Sequence, residues 1–249
     1  MSKRLVLFLF VLVALSVVPF SVTAQEELPK IGFLPGVVDP FYQVMELGVN
    51  QAVADFGLEV VTQYPDTWGP TVQTPILDAM VARGDIDCLI TAPTDKEQMI
   101  APLQSAVDAG IRVITVDTFL GDGDYVNGPI TFPLSYVASD NVEGGRIAGH
   151  AIAQALGEEG TVYIQNTVVG TSTTEQRSLG FREAIAQYPN MTVVGEDYNG
   201  DDANTSVEQT AAVLQREPDL GAIFGVNVFS AQGAGTAVQN AGLAGVVEV

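Results

Sequence analysis

From Lys30 onward the chain switches repeatedly between two hydrophobic periods. In Lys30–Tyr42, reading KIGFLPGVVDPFY, a short apolar run, Ile31–Leu34, precedes Asp39-Pro40. Apolar residues then recur at three- and four-residue spacing: Phe41, Val44, Met45, Gly48, Val49, Ala52, Val53, Phe56. This pattern predicts a buried strand, a polar-tipped loop and an amphipathic helix. Further strand-like runs are Leu58–Thr62, Ile86–Thr91, Ile111–Val116, Thr161–Gln165, Thr192–Glu196, Gly221–Val226 and Val246–Val249. Helix-length segments lie between them, including Lys96–Ala109 and Glu143–Leu156. Repeated strand-helix units predict an α/β fold with parallel strands and helices on both faces. The alternation breaks once, in the Gly-, Asp- and Pro-rich stretch Thr118–Ser135. Tyr136-Val137-Ala138 restores a short strand, and Ser139-Asp140-Asn141 leads into the next helix. A crossing there divides the chain into 25–139 and 140–249, each close to an ordinary domain size.

The ends change the picture in two ways. Met1–Ala24 carries Lys3 and Arg4, then an almost wholly apolar Leu5–Val18, then the small-residue tail Val22-Thr23-Ala24. It reads as a secretory signal peptide, too short to span a membrane comfortably, so an exported, soluble protein starting near Gln25 is expected. At the other end the chain stops inside a strand-like run, Val246–Val249, which suggests a fragment. Without Met1–Ala24 the formal charge is −22, from eight basic against thirty acidic residues. Such a charge repels phosphate backbones and argues against a nucleic-acid partner. Only Lys30 and Lys96 remain as lysines, which fits a saline habitat. The one cysteine, Cys88, allows no internal disulfide and fits a buried strand position.

Enzyme chemistry finds little support. The only histidine, His150, sits in the helical segment Glu143–Leu156 without a histidine or cysteine nearby and reads as solvent-facing. There is no Gly-x-Ser-x-Gly elbow, no Walker loop and no metal-ligand spacing, and Gly233-Ala234-Gly235 lacks the third glycine and preceding strand of a dinucleotide fingerprint. Close packing of a small-residue helix on the sheet accounts for those glycines. No cofactor and no metal are expected.

What remains is a set of polar and aromatic residues at strand ends. Asp39 suits a helix N-cap before Pro40, with a ligand contact as an open second role. Phe41 falls on the apolar helix face, whereas Tyr42 falls off it and is expected to expose its ring. Asp117 ends the run Ile111–Val116, Arg177 follows the polar loop Gly170–Gln176, and Asn227 ends Gly221–Val226. Trp68, the only tryptophan, is either a stacking platform or loop packing, and Asp201 and Asp202 either reach a cleft or start a helix. Together these donors and acceptors suit an uncharged polyhydroxylated ligand.

Their order along the chain resembles the periplasmic sugar-binding proteins of the ribose-binding type, which serve ABC transporters and share a fold with lactose-repressor-like ligand domains. The carriers are Asp39-Pro40-Phe41-Tyr42, Ala92-Pro93-Thr94-Asp95, Val113–Asp117, Ser139-Asp140-Asn141 with Gly144-Gly145, Arg177 with Gly180-Phe181, Pro218-Asp219 with Ile223-Phe224, and Asn227. The resemblance implies two similar doubly wound parallel-sheet lobes, a hinge and a ligand cleft between them. It implies ligand contacts from Asp39, Phe41, Tyr42, Asp117 and Thr118 in the first lobe and from Arg177 and Asn227 in the second. Trp68 and Asp201 are further candidates. Asp39 stands where relatives often carry asparagine, Thr118 where the ribose binder has arginine, and Val228 where an acidic residue often follows. The resemblance also implies an ABC permease partner, with a chemoreceptor as a further one, and a monomer. It implies returning segments of both lobes after Val249. Three rivals stay open: a non-sugar receptor of the same fold for a furanone, purine or amino acid derivative, a transcription-regulator ligand domain, and an enzyme on an α/β sheet.

Overall fold

The computed structural model describes residues 28–249, so the signal-peptide reading of Met1–Ala24 lies outside the described residues. Fifteen elements follow in order. They are β1 (Lys30–Leu34), α1 (Pro40–Phe56), β2 (Glu59–Thr62), α2 (Pro70–Ala82), β3 (Cys88–Thr91), α3 (Ile100–Asp108), β4 (Arg112–Val116) and β5 (Ser135–Val137), and then α4 (Asn141–Ala155), β6 (Glu159–Asn166), α5 (Ser172–Ile185), β7 (Asn190–Tyr198), α6 (Ala203–Arg216), β8 (Leu220–Gly225) and α7 (Val228–Asn240). Strands β1–β5 form one parallel sheet in the order β2-β1-β3-β4-β5, and β6–β8 form a second in the order β7-β6-β8. We call the units built on these sheets the first and second lobes. The α/β fold with parallel sheets in two lobes is the one the hydrophobic pattern predicts.

In each lobe the strand order reverses beside the first strand, between β1 and β3 and between β6 and β8. Crevices outside the carboxyl ends of strands at such reversals are where open parallel sheets bind ligands. In the first lobe Leu34, Leu77, Met80, Leu89, Met99, Leu103 and Val113 fill one main core. A small cluster of Val37, Tyr42 and Ala92, with Met45, Trp68 and Val116 against it, lies on the α1 side. The second sheet has substantial cores on both faces, around Tyr163, Val213 and Ile223 and around Val162, Ile164 and Phe181. Helices α4 and α5 approach closely because glycines face each other's backbone. A Cβ on Gly145 would lie 2.0 Å from Arg177 O, and one on Gly180 would lie 1.8 Å from Val142 O.

Four expectations are corrected. Helix α3 starts at Ile100 rather than Lys96, because Asp95 Oδ1 accepts from the amides of Glu97 and Gln98, and Pro102 is tolerated only in a first turn. Val246–Val249 is not a strand. Glu248 alone bridges to Ala222, and left-handed backbone at Gly242 and Gly245 bends the chain on either side of Ala244. His150 is half-buried, with Nδ1 2.8 Å from Tyr188 Oη. Gly233 packs not on the sheet but on α6, where a Cβ would meet Ser206 Cβ at 2.3 Å.

Candidate functional site

The segments that follow six strands, β1, β2, β4, β6, β7 and β8, converge on a cavity of about 90 Å³ between the lobes. Asp39, Phe41, Tyr42, Trp68 and Asp117 form its first wall. Thr167, Thr171, Thr173, Thr174, Arg177, Asp201, Asn227 and Val228 form the second.

The first wall is built on the start of α1. Asp39 is its N-cap: the extended backbone lets Oδ1 accept from Tyr42 N at 2.7 Å, and Pro40 occupies the first helical position. Burial, the largest cause, pushes the Asp39 carboxyl above its usual range against the lowering effect of the Tyr42 and Phe41 amides. The two aromatic residues are reversed from their expected places. Tyr42 is 2 % exposed and Phe41 45 % exposed. The helix presents Tyr42, Met45, Val49 and Val53 inward, because the Tyr42 hydroxyl donates to Asp117 Oδ2 at 2.8 Å and the ring stacks on Trp68. Gly36 makes that stack possible, since a Cβ there would sit 2.1 Å from Trp68 Cζ3.

Asp117 follows β4 in the left-handed region, φ 60°, inside a tight turn closed by Thr118 N to Val116 O. The turn delivers the carboxylate to the cavity, where burial raises its pKa against the lowering effect of the Tyr42 hydrogen bond and of the Arg177 charge. The same turn sends Thr118 away. Its side chain is fully buried, donates to Pro93 O at 2.7 Å and does not line the cavity, so the expectation of a ligand contact there is corrected.

The second wall is a hydrogen-bonded lattice. Arg177 Nε donates to Asn141 Oδ1 at 2.8 Å and Nη1 to Val226 O at 2.9 Å, tying the guanidinium to the start of α4 and the end of β8. Asn227 caps α7 through Oδ1, which accepts from Ser230 N, while its Nδ2 donates to Asp201 Oδ1 at 2.6 Å. Of the two adjacent aspartates, Asp202 caps α6 and Asp201, at φ 63°, turns into the cavity. Burial, the largest cause, pushes the Asp201 carboxyl up to about 6.

Sequence reasoning missed Thr167, Thr171, Thr173, Thr174 and Val228. Four threonines at and after the end of β6 look like ordinary loop and helix-start residues. The signal that could have found them is their density beside Arg177.

The lobes also touch directly. Lys96 N donates to Gly170 O at 3.1 Å, Phe119 N donates to Ser172 Oγ at 3.0 Å, and Lys96 Nζ pairs with Glu175 Oε2 at 2.6 Å. Among the described residues no group of three or more His, Cys, Asp or Glu is placed to hold a metal, and no helix is long and apolar enough to cross a membrane.

The chain as a whole has known relatives. The sequence profile of the periplasmic binding protein domain matches residues 31–249. The chain belongs to the periplasmic binding protein family. It is 28 % identical over 254 residues to the D-ribose/D-allose-binding protein of Pseudomonas aeruginosa, covering 100 % of this chain and 78 % of the relative. It is 31 % identical over 211 residues to the ribose import binding protein RbsB of Salmonella typhimurium, covering 85 % and 68 %. Among solved structures, an ABC transporter solute-binding protein from Agrobacterium vitis bound to α-D-tagatopyranose superposes with a TM-score of 0.86 at 44 % identity, covering 88 % of this chain and 74 % of that one. A periplasmic solute-binding protein from Actinobacillus succinogenes with bound D-allose gives 0.76 at 28 % identity, covering 88 % and 76 %. The resemblance read from Asp39–Tyr42, Asp117, Arg177 and Asn227 is thereby borne out at the level of the family.

Proposed function

We propose that this periplasmic binding protein is an exported receptor that captures a monosaccharide by closure of two lobes and delivers it to an ABC transporter permease, without catalysis. The observation that carries the reading is the cavity wall: Asp39, Asp117, Asp201, Arg177 and Asn227 converge from five strand ends beside the Phe41 and Tyr42 rings. Carboxylates accept hydrogen bonds from sugar hydroxyls, the guanidinium and amide donate to ring oxygens, and aromatic faces pack on C–H surfaces. The sugars bound in the Agrobacterium vitis and Actinobacillus succinogenes proteins are single monosaccharides.

In this reading the lobes divide at residues 139 and 140, the protein acts as a monomer, and ligand stabilises the closed arrangement because it touches both walls only there. Titration calorimetry against pentoses, hexoses and polyols tests it, with small-angle scattering to follow closure. Saturable one-site heat with compaction is expected. Absence of binding to every member of the panel overturns the sugar assignment.

A further inference from the structure

Two buried polar side-chain atoms have no hydrogen-bond partner among the described residues: Trp68 Nε1 and Thr171 Oγ1. Both residues line the cavity, one from each lobe. A buried unpaired polar group is destabilising, and native proteins pair nearly all of them. Their coincidence at one cavity therefore points to a partner that arrives there.

Thr171 makes the case more specific. It is 3 % exposed and occupies the N-cap position of α5 with extended backbone, yet its hydroxyl makes no cap bond. Asp39, Asp140, Asp202 and Asn227 all cap their helices through the side chain. Neighbouring groups are already engaged: Gly170 N with Glu175 Oε1, Ser172 Oγ with Phe119 N, and Thr174 Oγ1 with Thr167 Oγ1. The hydroxyl of Thr171 stands out as unused. One staggered step about χ1 exchanges the hydroxyl and methyl of a threonine within about the same volume, which would turn Oγ1 toward the cavity that Thr171 lines.

We infer that Thr171 and Trp68 determine specificity in this site, their hydroxyl and indole N–H pairing with ring hydroxyls of the bound sugar. The inference rests on the sugar-receptor reading and narrows its ligand class. An indole N–H only donates, whereas the carboxylates of Asp39, Asp117 and Asp201 only accept when ionised. A free hydroxyl satisfies both at once, giving its hydrogen to a carboxylate and accepting from the indole. An ammonium lacks the lone pair and a carboxylate lacks the hydrogen. The cleft thus selects unmodified hydroxyls and rejects amino, acidic and deoxy sugars at the contacted positions.

Trp68 is the only tryptophan, so the protein's indole emission reports directly on this wall. The experiment titrates wild type, Thr171→Val and Thr171→Ser with D-ribose, D-allose, D-tagatose and the single-deoxy counterparts of whichever sugar binds, reading heat and Trp68 emission. Thr171→Val is expected to weaken binding about 5–10-fold, the range of one hydrogen bond, while Thr171→Ser keeps most of the affinity. One deoxy sugar should lose a similar factor on wild type and nothing further on Thr171→Val. Ligand-free Thr171→Val should melt at the same temperature as wild type or higher, because an unpaired buried hydroxyl has been removed. If wild type binds and Thr171→Val binds the parent sugar and every deoxy counterpart within twofold of wild type, the inference falls alone. If wild type binds none of the sugars, the sugar reading falls and takes the inference with it.

Discussion

The two walls of the cavity hold similar chemistry by different means. In the first lobe the site residues are also the fastening of α1: Tyr42 is the one fully buried residue of that helix, and Val44, Leu47 and Phe56 on it are exposed. Asp39, Tyr42, Trp68 and Asp117 therefore hold the helix start while lining the cavity. In the second lobe Arg177 lies in α5, and Asp201 and Asn227 stand just before α6 and α7, helices whose cores are filled independently on both sheet faces. Site and scaffold coincide in one wall and are separable in the other.

The largest expected effect tests that contrast. Asp117→Ala leaves the Tyr42 hydroxyl buried without its partner, costing about 1–3 kcal/mol, and should abolish sugar binding together with a melting-temperature loss of several degrees. Arg177→Lys should weaken binding at least about tenfold, since a lysine cannot reproduce the forked bonds to Asn141 and Val226, yet cost less thermal stability than Asp117→Ala, because lysine keeps a donor for one of the two acceptors. Calorimetry and thermal melts of both variants check this, and equal stability losses would erase the distinction between the walls.

A middle-sized effect concerns Asp201. Its carboxyl is raised from 3.8 to about 6 by burial, so the stability it contributes is complete below 3.8 and lost as pH rises through 6. Asp201→Asn should therefore stabilise the ligand-free protein relative to wild type at pH 7, and the gap should narrow as pH falls through 6 toward 3.8. Sugar affinity of wild type should fall over the same interval as the acceptor is protonated. Melts and binding curves at half-unit pH steps decide it, and a gap that is constant with pH would remove Asp201 from the titrating wall.

The smallest effect lies outside the walls. Lys96→Gln breaks the half-exposed ion pair with Glu175 between the lobes and should weaken sugar affinity only about two- to threefold at low salt. The difference should vanish near 1 M salt, where exposed charges are screened. A deficit that survives high salt would assign Lys96 a role through its backbone bond to Gly170 instead.

Strand ends and the order of polar residues along them were legible because each rests on local patterning. Asp39, Asp117, Arg177, Asn227, Trp68 and Asp201 were picked out from position alone and do meet at one cavity. What escaped the sequence depends on distant partners. The inward turn of Tyr42 is set by Asp117, 75 residues away, and overrides the helical period that favoured Phe41. The left-handed backbone at Asp117 hides Thr118, and no neighbouring residue type announces it. The threonines around Thr171 resemble any polar helix start, and only three-dimensional closure shows that they are buried.

Gly36 has no side chain with which to touch a ligand, yet it fixes where the indole of Trp68 can stand. Adding even one methyl there has nowhere to go except through the ring, so the platform would swing and the binding space would be reshaped from behind. That makes position 36 a handle for reshaping the cavity in a protein whose only indole is the part that moves.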